Sequence, residues 1–173
     1  MLFLQGPLLC LRLLYKTFRV FSPINVYGGH SGMYHRIMVP VDLAHLGALE
    51  RTLQVSADMA KHFGAEVCYV SVTPGTPGRV ARSPAEYEQK LKAFAEEQGK
   101  RHGRPVSTKV YVSADPVADL DDLLVKAVDE VGVDLVIMGT HLPRKLDVIM
   151  PSHGGKVARQ TDVSVFLVRP PRG

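Results

Sequence analysis

Short apolar runs alternate with stretches of helical periodicity along most of this chain. The runs 37–41, 67–72 and 135–138 have the length and composition of buried strands. Between the first two, leucines and alanines recur at spacings of three and four residues, which predicts one face of a helix. Alternation of this kind predicts a parallel sheet covered by helices on both faces.

The alternation continues to the end of the chain. Ser-Pro-Ala-Glu at 83–86 is a capping-box pattern that predicts the start of a second helix, and Asp115 followed by proline predicts the start of a third. Residues 106–112 alternate apolar and polar side chains, which is typical of an edge strand. A short helix at 152–160 and a last strand at 163–168 follow. Because strands buried on both faces lose alternation, we expect the three apolar runs at the centre of the sheet.

The positive charge of the chain is concentrated at its beginning. The 173 residues carry a formal net charge of +4, and residues 1–32 hold Arg12, Lys16 and Arg19 with no acidic residue. The remainder is therefore nearly neutral, which argues against a nucleic-acid-binding face. We expect 1–32 to be an N-terminal extension, which is a leader, a surface anchor or sequence upstream of a natural start at Met33.

The N-terminal extension and the two cysteines indicate in which cellular compartment the protein is expected. The apolar run 2–14 is too short and too interrupted to span a bilayer. We also expect no membrane association for the globular part, residues 33–173. Two cysteines, Cys10 and Cys68, make neither a disulfide framework nor a zinc cluster, and Cys68 lies in an apolar run where a buried thiol is expected. These features predict a cytoplasmic protein without a metal site.

The residues that follow the predicted strands are the candidates for a binding site, because ligands of such sheets bind beyond the carboxyl ends of the strands. Asp42 follows the first apolar run, and its carboxylate either accepts hydrogen bonds from an adenine or ribose or caps the next helix. Gly139 follows the run 135–138 and allows a sharp turn and close approach of a ligand. His141 is either a phosphate contact or a solvated loop residue.

The start of the last predicted helix carries a second candidate. Ser-His-Gly-Gly-Lys at 152–156 would present free backbone N–H groups, which favour an anion, and Arg144, Lys145 and Lys156 add positive charge. The alternative is a capped helix beside a solvated basic loop. Phosphate-binding loops of the Gly-x-x-x-x-Gly-Lys-Ser/Thr type and dinucleotide fingerprints are absent from the sequence, and no catalytic residue is assigned.

Three segments of the chain resemble the universal stress protein family. Residues 33–42 resemble its opening strand, 134–141 its fourth strand and turn, and 164–169 its last strand. The likeness covers residues 33–170, and the turn that begins at Gly139 is closest to that of the short, single-domain members. The resemblance implies a single-domain α/β fold with a doubly wound, five-stranded parallel sheet of strand order 3-2-1-4-5 and helices on both faces.

The resemblance also implies an adenine nucleotide site for ATP or AMP, with or without Mg²⁺. Two positions depart from the family's glycine loop, since Leu142 and Pro151 stand where that loop has glycine, and Pro151 removes a backbone donor. The nucleotide-binding residues implied are Pro40, Val41, Asp42, Val72, Met138, Gly139, Ser152, His153 and Gly154, with His141, Arg144 and Lys156 as candidate phosphate contacts.

These residues lead to a stress-response protein that binds ATP or AMP, with at most weak ATP hydrolysis or autophosphorylation. The alternative, which Pro151 favours, is a nucleotide-independent interaction module. In both cases the resemblance implies a homodimer that pairs through the last strand. A nucleotidyl-transfer enzyme is disfavoured, because His45-Leu-Gly-Ala48 holds only half of the His-x-Gly-His signature.

Overall fold

The computed structural model describes residues 33–140 and 153–169 of the chain. Within them the strands are β1 (Arg36–Pro40), β2 (Glu66–Pro74), β3 (Val106–Ser113), β4 (Leu135–Gly139) and β5 (Ser164–Val168), and the helices are α1 (Leu46–Phe63), α2 (Pro84–His102), α3 (Leu120–Val131) and α4 (His153–Gln160). The strands form one parallel sheet in the order β3-β2-β1-β4-β5. The predicted fold class and strand order are thus confirmed.

Each face of the sheet packs against its own pair of helices. Alternate residues of β1 divide between the two cores, because successive side chains of a strand point to opposite faces. Ile37 and Val39 pack with Leu53 of α1 and Leu91 of α2, whereas Met38 packs on the opposite face. The second core contains Met38, Cys68, Val70, Leu124, Ala127, Val136 and Val157. The apolar runs are accordingly the three central strands, and Cys68 is buried as expected.

The strand order reverses at β1, and this positions the candidate site. Ile37 of β1 pairs with Val67 of β2 on one side and with Leu135 of β4 on the other. The chain passes from β1 through α1 to β2 on one side of β1, and the later strand β4 lies parallel to β1 on its other side. The carboxyl ends of β1 and β4 therefore border a crevice in which ligands of this fold class bind.

Two helix starts differ in detail from the prediction. The third helix begins at Leu120 instead of Asp115, because the Asp115 carboxylate accepts hydrogen bonds from the N–H groups of Val117 at 3.2 Å and Ala118 at 3.1 Å and so holds a separate turn. At the second helix, Ser83 accepts from Glu86 N–H as expected. The Glu86 carboxylate, however, accepts from Arg82 N–H, one residue before the capping position.

The four helices within 33–140 and 153–169 are 8 to 19 residues long. None of them is long and apolar enough to cross a bilayer.

Candidate functional site

A cleft of about 570 Å³ lies at the carboxyl ends of β1, β4 and β5, where its inner wall is one face of α1. This volume falls within the range of small-molecule sites. The described residues that line it are Asp42, His45, Ala48, Leu49, Arg51, Thr52, Gly139, Thr140, Val168 and Arg169. The structure thus brings together two of the sequence-predicted site residues, Asp42 and Gly139.

Asp42 holds the turn that connects β1 to α1. One carboxylate oxygen accepts a hydrogen bond from Ala44 N–H at 2.8 Å, and the other lies 2.6 Å from Nδ1 of His45. The side chain remains 58% exposed on the cleft wall. These contacts hold the turn before α1 and not its N-terminal cap, which is at His45 without a side-chain hydrogen bond, so the capping role is not observed. A carboxylate has acceptor sites to spare beyond these two bonds, and they remain for a ligand.

Buried groups of other elements fix the position of this turn. The hydroxyl of Ser71, in β2, donates to the carbonyl oxygen of Val41. The hydroxyl of Tyr87, in α2, lies 3.4 Å from both Ser71 Oγ and the N–H of Leu43. Because Ser71 and Tyr87 are buried, these contacts orient the residues on either side of Asp42 from behind the cleft.

Gly139 allows α1 to approach the end of β4. A Cβ atom at this position would lie 2.8 Å from Thr52 Oγ1 and 3.4 Å from Leu49 Cδ2. The glycine is therefore explained by helix packing, in addition to the close approach of a ligand predicted from the sequence. Next to it, Thr140 N–H donates to Val168 O at 2.9 Å, which joins β4 and β5 at the mouth of the cleft.

Two arginines that line the cleft were not among the site residues predicted from the sequence. Arg51 projects from α1 and Arg169 follows β5, and neither forms an ion pair with a carboxylate in the described part of the chain. The sequence held a feature that could have indicated each arginine as a site residue. Arg169 follows a strand in the same way as Asp42, and Arg51 shares a helix face with Ala48 and Thr52 through spacings of three and four residues.

The predicted residues at the start of α4 lie against α3. His153 Nδ1 is 2.7 Å from an Asp121 carboxylate oxygen, and Lys156 Nζ donates to Asp122 at 2.8 Å. This hydrogen bond raises the pKa of Lys156 above its ordinary value. Gly154 is buried, and a Cβ at this position would overlap the side chain of Leu167, so the residue is explained by packing against β5.

The other predicted positions are mainly in the core. Val41 and Met138 are buried, Pro40 and Val72 are half-buried, and Val72 packs on the α3 face of the sheet. Ser152, His141 and Arg144 lie outside the described residues, as do Lys145, Leu142 and Pro151. Their roles, and those of His153, Gly154 and Lys156, stay predictions. Across 33–140 and 153–169, no three His, Cys, Asp or Glu side chains group where a metal ion would bind.

The chain is similar to known proteins over the region that contains the cleft. The sequence model of the universal stress protein family matches residues 33–169, which is most of the chain. No curated protein matches the sequence significantly.

Solved structures share the fold at low sequence identity. A universal stress protein in complex with cAMP is 19% identical with a TM-score of 0.58, covering 80% of this chain and 98% of its own. The universal stress protein from Archaeoglobus fulgidus in complex with dAMP is 23% identical with a TM-score of 0.50, covering 79% and 98%. A universal stress protein family protein from Arabidopsis thaliana with AMP bound is 11% identical with a TM-score of 0.52, covering 79% and 92%.

Proposed function

Because the chain belongs to the universal stress protein family, we propose that the cleft beyond β1 and β4 binds an adenine nucleotide, AMP or ATP. The observation that carries the proposal is the meeting of Asp42 and Gly139 in one cleft at the point where the strand order reverses. Family members of the same fold are described in complex with cAMP, dAMP and AMP, which supports this class of ligand.

The chemistry of the lining fits the parts of a nucleotide. Leu49 and Val168 offer apolar surface to a base, and the Asp42 carboxylate offers acceptors to an adenine amino group or a ribose hydroxyl. Buried Val41 and Met138 would act through backbone groups, and so would Val72. At the phosphate end we keep Ser152, His153 and Gly154, with the candidate contacts His141, Arg144 and Lys156, as part of the proposal.

Isothermal titration of the full chain with AMP, and with ATP in the presence and absence of Mg²⁺, tests the proposal. We expect saturable binding, and we expect Asp42→Asn to weaken it by about tenfold or more, because a charge-assisted acceptor is lost. Asp58→Asn is the matched control, since Asp58 is an exposed carboxylate of α1 that lies outside the cleft. No binding at millimolar AMP or ATP would contradict the proposal and favour the nucleotide-independent module.

We propose further that the protein acts as a cytoplasmic homodimer that pairs through β5, with little or no catalysis. β5 is an edge strand of the sheet, and its Phe166 side chain is 46% exposed. Val165 and Leu167 pack on the α3 side, so Phe166 points to the opposite face of the sheet. A sheet edge that no strand of the described residues covers, with an exposed aromatic side chain, favours pairing with a second copy.

A further inference from the structure

We infer that Arg51 and Arg169 bind the terminal phosphate of the nucleotide, so that the cleft selects AMP over cAMP. The inference deepens the proposed function and rests on it. Its starting point is that two arginines from separate elements, α1 and the end of β5, line one cleft of about 570 Å³.

The charge of the cleft is unbalanced in the direction that a phosphate requires. Asp42 is the single acidic side chain among the described lining residues, and its oxygens already contact Ala44 N–H and His45. Arg51 and Arg169 have no ion-pair partner in 33–140 or 153–169. Two arginines therefore outnumber the one carboxylate of the described lining, and this excess of positive charge favours an anion.

The two arginines contrast with the basic residues of α4. Lys156 and His153 already face carboxylates of α3, Asp122 at 2.8 Å and Asp121 at 2.7 Å, which offset their positive charge. The charge of Arg51 is not offset in this way by any described carboxylate. Guanidinium groups also match phosphate oxygens in bidentate geometry, which an ammonium group does not.

The selectivity for AMP over cAMP follows from the charge and the number of unesterified oxygens of the phosphate group. A phosphate monoester such as AMP carries close to two negative charges near pH 7, because its second pKa is about 6. It also has three unesterified oxygens. The cyclic diester of cAMP carries one charge and offers two unesterified oxygens. Two guanidinium groups therefore gain more from AMP, and adenosine, which lacks phosphate, gains nothing from them.

Calorimetric titration of the full chain at pH 7.5 with AMP, cAMP and adenosine tests the inference. We expect AMP to bind about tenfold or more tightly than either competitor, because each charge-assisted contact contributes about a factor of ten. Arg51→Gln and Arg169→Gln should each weaken AMP binding by about tenfold and change adenosine binding by less than about threefold. Raising the salt concentration should weaken AMP binding more than adenosine binding.

Arg101→Gln is the matched control, because it removes the same charge from an exposed position of α2 outside the cleft. It should leave all three affinities unchanged, and circular dichroism and thermal unfolding should show that every variant folds. Equal AMP and cAMP affinities in the native protein, or unchanged AMP binding in both cleft variants, would overturn the inference while leaving nucleotide binding intact. Failure of the native protein to bind both AMP and adenosine would instead overturn the proposed function and, with it, this inference.

Discussion

At the scale of single residues, Gly139 is where the packing of α1 and the shape of the cleft depend on one missing Cβ atom. We expect Gly139→Ala to lower the free energy of unfolding by about 1–3 kcal/mol, because the new methyl group would overlap Thr52 Oγ1 and press on Leu49. Urea denaturation monitored by circular dichroism measures the change. Adding Thr52→Ala to Gly139→Ala should recover part of the loss by removing the overlapping hydroxyl.

The matched control for this glycine is Gly47, in the first turn of α1. A Cβ there meets no other atom within 4 Å. We expect Gly47→Ala to be neutral or to stabilise by up to about 1 kcal/mol, because alanine restricts the unfolded chain. If both alanine variants unfold at the same urea concentration, packing against α1 does not explain Gly139.

A second residue-scale prediction concerns alkaline pH. Burial raises the pKa of Tyr69 to about 12, whereas an unfolded tyrosine titrates near 10. The unfolded chain therefore loses this proton first, so the stability due to neutral Tyr69 is complete below about pH 10 and falls as pH rises toward about 12. Burial and the hydrogen bond to Glu130 also raise the pKa of Tyr111, so both tyrosines contribute to the fall.

Thermal unfolding between pH 8 and pH 11.5 measures this effect. We expect the melting midpoint to fall by several degrees above about pH 10, and we expect the fall to be shallower in Tyr69→Phe, which has no proton to lose. Comparison with the variant separates the contribution of Tyr69 from every other effect of alkaline pH on stability. Parallel curves for the two proteins would show that Tyr69 does not carry the effect.

At the scale of elements, the start of α2 links helix capping to the cleft. Ser83 Oγ accepts from Glu86 N–H at 3.2 Å, and one residue later Tyr87 contacts the turn beside Asp42. We expect Ser83→Ala to cost about 1 kcal/mol of stability in denaturant unfolding, because an N-terminal N–H loses its acceptor. Gln89→Ala, an exposed change in the same helix, should stay within about 0.5 kcal/mol. Equal losses in the two variants would argue against the cap.

The elements were largely predictable from the sequence because their signals are local. Unbroken apolar runs mark the central strands, and Gly64 ends α1 in the left-handed conformation at φ 72° that glycine tolerates best. The start of α3 was misplaced because Asp115 suits both a helix cap and an isolated turn. Local composition does not separate the two, since both satisfy the same backbone donors.

The site was less predictable because it depends on contacts between distant segments. The sequence placed Asp42 and Gly139 at strand ends, and the order of the strands brings them together. That Lys156 faces Asp122 and that Arg51 shares a cleft with Arg169 depends instead on how helices cross the sheet. Such pairings are separated by 34 residues or more and leave no periodic signal in the chain.

At the scale of the whole molecule, the sheet has two edges, and the proposed dimer uses one of them. β5 exposes Phe166 to 46%, and β3, at the other edge, exposes Val112 to 54%. The two edges therefore offer a matched pair of apolar side chains for comparison. If two copies pair through β5, a charge at Phe166 must be buried without a partner in the interface, whereas the same charge at Val112 stays in water.

We expect Phe166→Glu to convert the dimer to a monomer and Val112→Glu to leave it intact, because burying two unpaired carboxylates costs several kcal/mol per dimer. Sedimentation velocity of the native protein and both variants over a range of concentrations measures the masses. Circular dichroism checks that each variant folds, which is expected because both side chains are on the surface of a single copy. A native monomer at high concentration, or dissociation by Val112→Glu alone, would contradict pairing through β5. Adenine nucleotide binding measured on the Phe166→Glu monomer would then establish whether the cleft, which is lined by residues of one chain, functions without its partner.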